Sequence, residues 1–213
     1  MELVVRKNDL LRELQLFQGI VERKNTIPIL ANVLLDATGE EVRFLATDLE
    51  VGLRSRCAAA VAKGGSITVP AKKFYEIVRS LPDTDVRIAE EKGSVKVAAD
   101  RFDSRLQTLP KDDFPALPES AGVQTTVLPR AALKDMVAKT QFAITGEDTR
   151  YFLNGALFVL KSDNMSLVAT DGHRLALVSV PRQGPETTEV KAILPKSPRS
   201  RLMLRYARTA LKI

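Results

Sequence analysis

The tripeptide Ala46-Thr47-Asp48 recurs 123 positions later as Ala169-Thr170-Asp171, and the apolar pattern around it recurs with it. The same offset carries Leu10 onto Leu133, Leu14 onto Val137, Leu30 onto Leu153 and Leu34 onto Leu157. Helical and extended positions stay in register without gaps, which chance similarity of amphipathic segments does not produce. A repeat of this kind restricts the fold to copies of one supersecondary unit.

Read in order, residues 1–6 form a strand. A helix follows, capped by Asn8 or Asp9, with Leu10, Leu14, Phe17 and Val21 on one face and an end or bend near Gly19. After a basic loop around Arg23 and Lys24, strands are expected over 29–36, 42–47 and 51–61. The order then restarts: a strand at 66–69, Pro70 opening a helix with Phe74, Ile77, Val78 and Leu81 inward, and strands at 86–90, 94–99 and 102–109. Residues 110–118 hold three prolines and read as a domain linker. A third copy begins with a strand at 123–128 and a helix from Pro129 burying Leu133, Met136, Val137 and Thr140. Strands at 153–160, 165–170 and 174–181 complete it. Val190 to Pro195 then mirrors the strand that ends at Pro70. Antiparallel strand groups separated by single helices predict an α+β fold, with helices on one face of the sheets. The division expected is 1–118 as one domain, 119–127 as linker and first strand, and 128–213 as a second, incomplete domain.

The 213 residues include 32 bases and 26 acids, a formal charge of +6. Six of the bases, with no acid, lie in 196–213, so residues 1–195 carry 26 of each sign. Nucleic-acid affinity in the body must therefore come from placement of charge. The helices supply such a placement: Lys7, Arg12, Lys72, Lys73, Arg79, Arg130, Lys134 and Lys139 face only Asp9, Glu13, Glu76 and Asp135. Cys57 is alone, which excludes an intrachain disulfide and a thiolate zinc site and fits a reducing, cytoplasmic location. No membrane span is expected.

The stretch Ala169-Thr170-Asp171-Gly172-His173-Arg174-Leu175-Ala176 holds the single histidine. One reading is a metal-dependent nuclease or hydrolase using Asp48, Glu50, Asp171 and His173. Against it stand the lack of a histidine pair, of a glycine-rich phosphate loop and of a base beside any Ser or Cys. A Thr-Asp pair at a strand end is more simply a turn whose aspartate bonds its own backbone. A further alternative is a stand-alone basic DNA-binding module using the 196–213 tail.

Several stretches resemble the beta subunit of bacterial DNA polymerase III, the replicative sliding clamp. They are Thr26-Ile27-Pro28-Ile29-Leu30, Ala46-Thr47-Asp48-Leu49-Glu50, Val69-Pro70-Ala71-Lys72-Lys73-Phe74, and Thr108-Leu109-Pro110 with Asp113-Phe114-Pro115. Arg150-Tyr151-Phe152-Leu153-Asn154-Gly155 and 169–176 are the most specific. The resemblance implies a DNA-clamp fold of three similar domains. Two protomers would close head-to-tail around duplex DNA, helices inward, as a non-catalytic processivity factor without cofactor or metal. It implies a peptide-binding pocket for the polymerase III alpha subunit and the clamp loader at Leu153, Thr170, Gly172, His173, Arg174 and Leu175. It further implies DNA contacts at Arg23, Lys24, Arg150 and Tyr151, and a homodimer interface at Lys73 and Leu106. Glu147 departs from a family neutral amide. The arginine-rich wording after residue 196 also departs from the family, so the expectation is a clamp truncated within its second domain, with the third absent.

Overall fold

A computed structural model describes residues 1–21, 27–49, 52–116, 128–145, 149–182 and 188–195. It divides into two compact units, Met1–Glu119 and Ser120–Ile213.

Unit 1 is built from strands β1 (Glu2–Arg6), β2 (Asn32–Thr38), β3 (Glu41–Thr47), β4 (Gly52–Ala58), β5 (Ala60–Lys63), β6 (Gly65–Pro70), β7 (Asp85–Glu91), β8 (Ser94–Ala99) and β9 (Phe102–Gln107), with helices α1 (Lys7–Phe17) and α2 (Ala71–Ser80). The strands form two antiparallel sheets, ordered β5-β1-β7-β8-β9 and β4-β3-β2-β6. Strand alternation and helical spacing send one set of side chains into a shared core. Leu10, Leu14 and Phe17 of α1 and Phe74 and Val78 of α2 join Val33, Leu35 and Phe44 from one sheet and Val86, Ile88 and Val97 from the other. Each fully buried side chain of this size contributes about 1.5–3 kcal/mol by leaving water.

Unit 2 repeats the β4-β3-β2-β6 sheet of this plan with one helix. Helix α3 (Arg130–Thr140) packs on strands β10 (Gly155–Leu160), β11 (Asn164–Thr170), β12 (Leu175–Pro181) and β13 (Val190–Pro195), ordered β12-β11-β10-β13. Leu133 and Met136 meet Phe158, Met165 and Leu167 in its core. The 123-residue offset holds element by element: α1 onto α3, β3 onto β11, β4 onto β12. It reaches the corners, where the Ala59 N–H donates to the Glu40 carbonyl at 2.9 Å and the Arg182 N–H donates to the Asp163 carbonyl at 2.8 Å.

Several expected boundaries differ. Residues Pro28–Ala31 and Tyr151–Asn154 are 3-10 turns that precede their strands. Pro28 at the first turn position fixes φ there, and an apolar run after it reads like a strand in sequence. The span 51–61 is two strands in two sheets, because the chain turns its corner at Ala59. Helix α1 begins at Lys7 with no side-chain cap. The Lys7 N–H instead donates to the Thr84 carbonyl at 3.2 Å, and Asn8 Nδ2 donates to Asp83. The stretch 110–118 is not simply a linker. Its Lys111–Asp113 forms a 3-10 turn, and Phe114 is buried with Ile29 and Leu30 against Leu34 and Leu45. The strand expected at 123–128 and the 196–213 tail lie outside the described residues, apart from Leu128, which is buried.

Candidate functional site

The β11–β12 turn is held by its own side chains. The Thr170 hydroxyl donates to the Arg174 carbonyl at 2.8 Å and accepts the Gly172 N–H at 3.1 Å. Asp171 Oδ1 accepts the backbone N–H groups of His173 (3.0 Å) and Arg174 (2.9 Å), while Oδ2 takes the Arg174 Nε at 2.9 Å. These donors, the Arg174 N–H foremost and the His173 N–H next, hold the Asp171 carboxyl down at about 2 from an ordinary 3.8. With the aspartate fully engaged in its own turn, the residues that project are Gly172, His173, Arg174 and Leu175, all exposed.

Gly172 has φ +89°, a conformation that favours glycine. A Cβ there would lie 3.8–3.9 Å from the Arg150 guanidinium nitrogens, so Arg150 sits directly beside this backbone. Arg174 stacks its guanidinium over the Phe142 ring at 5.5 Å. Leu153 is buried in the 3-10 turn that feeds β10, its N–H held by the Arg150 carbonyl at 2.9 Å. The β10–β11 register, with Leu157 opposite Val168, brings the start of β10 to the same sheet end as Thr170. The structure therefore groups Arg150, Thr170, Gly172 and Arg174 at one end of the unit 2 sheet, with Leu175 opening β12 there. Phe142 joins them, a residue that sequence spacing gave no signal for. Its place just beyond α3 is the one trace.

The remaining expected residues add no further side chain to this group among the described residues. Arg23, Lys24, Glu50 and Glu147 lie outside the described residues, and of Tyr151 only the backbone is described. Lys73 is exposed on α2. Leu106 is buried in the unit 1 core on β9, an edge strand of its sheet. Among the described residues, no cluster of three His, Cys, Asp or Glu could hold a metal, and Asp171 is committed to its turn. No described helix is long and apolar enough to cross a membrane. The helical acids all pair with helical bases: Asp9 and Glu13 with Arg12, Glu76 with Lys72, Asp135 with Lys139. The pairs exposed on both sides add at most about 1 kcal/mol each, and together the pairs leave Lys73, Arg79 and Lys134 as excess positive charge.

Sheets of this topology covered by helices, in repeated copies, define a DNA-clamp fold. Comparison with solved structures gives a TM-score of 0.91 at 37% identity to the DNA polymerase III subunit beta of Pseudomonas aeruginosa, over 98% of this chain and 57% of that one. The corresponding subunit of Caulobacter crescentus gives 0.88 at 36%, over 96% and 57%. The model of the DNA polymerase III beta subunit N-terminal domain matches residues 1–118, and that of the central domain matches 127–203. The chain belongs to the DNA polymerase III beta subunit family. Among curated relatives, the beta sliding clamp of Pseudomonas aeruginosa is 40% identical over 92% of this chain and 54% of its own length. That of Chlamydia muridarum is 34% identical over 84% and 49%. The chain thus spans about half the length of the curated relatives it matches.

Proposed function

We propose that the chain serves as a DNA polymerase processivity factor: a non-catalytic, cytoplasmic sliding-clamp subunit that tethers polymerase and clamp loader to duplex DNA through short peptides. The observation that carries this reading is the β11–β12 turn. Thr170 and Asp171 fix its backbone, so Gly172, His173, Arg174 and Leu175 are presented without further ordering. A preformed apolar site with a few polar orienters suits an extended peptide, because little binding energy is lost to ordering the receptor. Leu153 and Leu175 supply apolar wall, Gly172 admits close backbone approach, and Arg174 and His173 supply donors. The uncompensated helix bases Lys73, Arg79 and Lys134, with Arg150, Arg23 and Lys24, suit phosphate contacts that carry no sequence information and permit sliding. The edge strand β9, with Leu106, and Lys73 on α2 suit a homodimer contact.

Calorimetric titration of the full chain with a clamp-binding peptide from the polymerase alpha subunit tests this. Saturable binding that weakens in Leu153→Ala and His173→Ala is expected. Binding indifferent to both substitutions would overturn the site. The stand-alone DNA-binding alternative makes a different demand. Binding to short linear duplexes would be strong and would vanish on removal of residues 196–213.

A further inference from the structure

Two partners hold the Arg174 guanidinium, and they come from different elements. Asp171, within the turn, takes the Nε–H at 2.9 Å. Phe142 belongs to the 3-10 turn Gln141–Ala143 that follows α3, and the guanidinium carbon stands over its ring, 5.5 Å from the centroid. A guanidinium is planar, so the carboxylate bond fixes the direction of Nε and the ring fixes the tilt of the plane. The N–H groups of the Nη end take no partner among the described residues.

Packing does not account for Phe142. Its neighbours Ala143 and Ile144 are buried in the unit 2 core, whereas Phe142 is 55% exposed and stands outside it. The repeat supplies a control. At the 123-residue offset Phe142 corresponds to Gly19, Arg150 to Ile27 and Arg174 to Val51. The first copy keeps the threonine-bonded turn, yet it has neither the two arginines nor the aromatic ring. The ring therefore goes with the arginine and not with the turn.

We propose that Phe142 is a positioning residue: it holds Arg174 so that the Nη end donates to a backbone carbonyl of the peptide bound at the β11–β12 turn. This rests on the peptide-site reading above. Gly172, with φ +89° and no Cβ, lets a peptide backbone come close two residues from Arg174. An extended segment brings carbonyls that need donors once they leave water. Charge favours a carbonyl over a carboxylate, because Asp171 already balances Arg174 through its Oδ2. A guanidinium set in place before binding loses less rotamer freedom when it meets its acceptor. The contact reads no peptide side chain, so the ring adds affinity without narrowing the sequences accepted.

Two measurements on the 213-residue chain test this. The first needs no peptide. Nitrogen relaxation of the Arg174 Nε–H should give an order parameter like that of rigid backbone, about 0.85, that falls toward about 0.6 in Phe142→Leu and recovers in Phe142→Tyr. The second is calorimetric titration with the polymerase alpha-subunit peptide. Phe142→Leu should weaken binding about two- to fivefold, and Phe142→Tyr should restore it. In an Arg174→Gln background Phe142→Leu should cost nothing further. The effect should persist at high salt, because the acceptor is uncharged. Phe142→Leu should melt at the temperature of the parent chain, which separates positioning from folding. Equal order of the Arg174 Nε–H in both chains, undiminished binding by Phe142→Leu, or the same loss in the Arg174→Gln background overturns the proposal. A loss that disappears at high salt overturns the carbonyl as acceptor. Absence of binding by the parent chain overturns the peptide-site reading and the acceptor with it, while the order parameter still decides whether Phe142 holds Arg174.

Discussion

Units 1 and 2 make the same turn at the same register position, and they fill its third residue with opposite kinds of side chain. Thr47 accepts the N–H of Leu49 at 3.0 Å, as Thr170 accepts that of Gly172 at 3.1 Å. Both third residues are left-handed, with φ +77° at Leu49 and +89° at Gly172. In the first copy a leucine is held where an L side chain is strained by about 1–2 kcal/mol. In the second, a glycine removes the strain and opens the backbone. The threonine and the turn are thus common architecture. The residues beyond the Thr-Asp pair have diverged, toward bulk in one copy and toward access in the other. The same divergence appears at the sheet. Asn32 Nδ2 donates to Thr68 at 3.2 Å in unit 1, whereas unit 2 has Gly155 beneath Ile193.

That contrast can be broken, most forcibly at Phe114. Phe114→Ala should uncover Leu34 and Leu45. A cost of about 3 kcal/mol, at the low end for such truncations because the site is at the rim, should appear in denaturant unfolding followed by amide exchange in β2 and β6. Gly155→Ala comes next. Its Cβ would lie 2.6 Å from both the Ile193 Cγ2 and the Leu194 carbonyl oxygen, and backbone cannot yield as a side chain does. A loss of about 1–3 kcal/mol confined to unit 2 is expected, with faster exchange across β10 and β13.

The turn pair gives smaller effects of opposite sign. Gly172→Ala should destabilise by about 1 kcal/mol. Leu49→Gly relieves strain but loosens the unfolded chain, and the two terms leave a net gain of about 0.5 kcal/mol. Thermal melting of both variants checks the pair, and equal signs would end the contrast. Asp171 sets the pH limit. Its carboxyl is held at about 2 against 3.8 unperturbed, so its support of the turn is complete above pH 4 and fades as pH falls through 2. Carbon-detected NMR titration should show that midpoint, and a midpoint near 4 would remove the turn's cause. Cys57 moves the other way, its thiol pushed up to about 12, chiefly by burial. Its resistance to a thiol reagent at pH 8 until the protein is unfolded is the mildest of these outcomes.

How far the sequence foretold this divides along physical lines. Helical spacing at Leu10, Leu14 and Phe17 and alternation in β7 and β8 report burial directly, so those elements were legible. The 3-10 turns were not, because Pro28-Ile29-Leu30 is apolar whether it coils or extends. The corner at Ala59 was not, because alternation continues through it while the backbone changes sheets. Phe114 reads as linker because its flanking prolines forbid regular structure, yet they do not forbid packing. At the site, the self-bonded turn followed from Thr-Asp chemistry. The stacking of Arg174 on Phe142 joins residues 32 apart (174 − 142) through tertiary folding, which no local pattern reports.

The strand order of unit 1 has one more consequence. Strand β1 opens the first half-repeat but lies beside β7 of the second, and β6 opens the second half but lies beside β2 of the first. Each half therefore completes the other's sheet, and neither owns a finished core. Cut at the Gly64–Gly65 junction, the two pieces should be unstructured apart and should reassemble on mixing. The half-repeat is a unit of ancestry, and the smallest unit of folding is a pair of them.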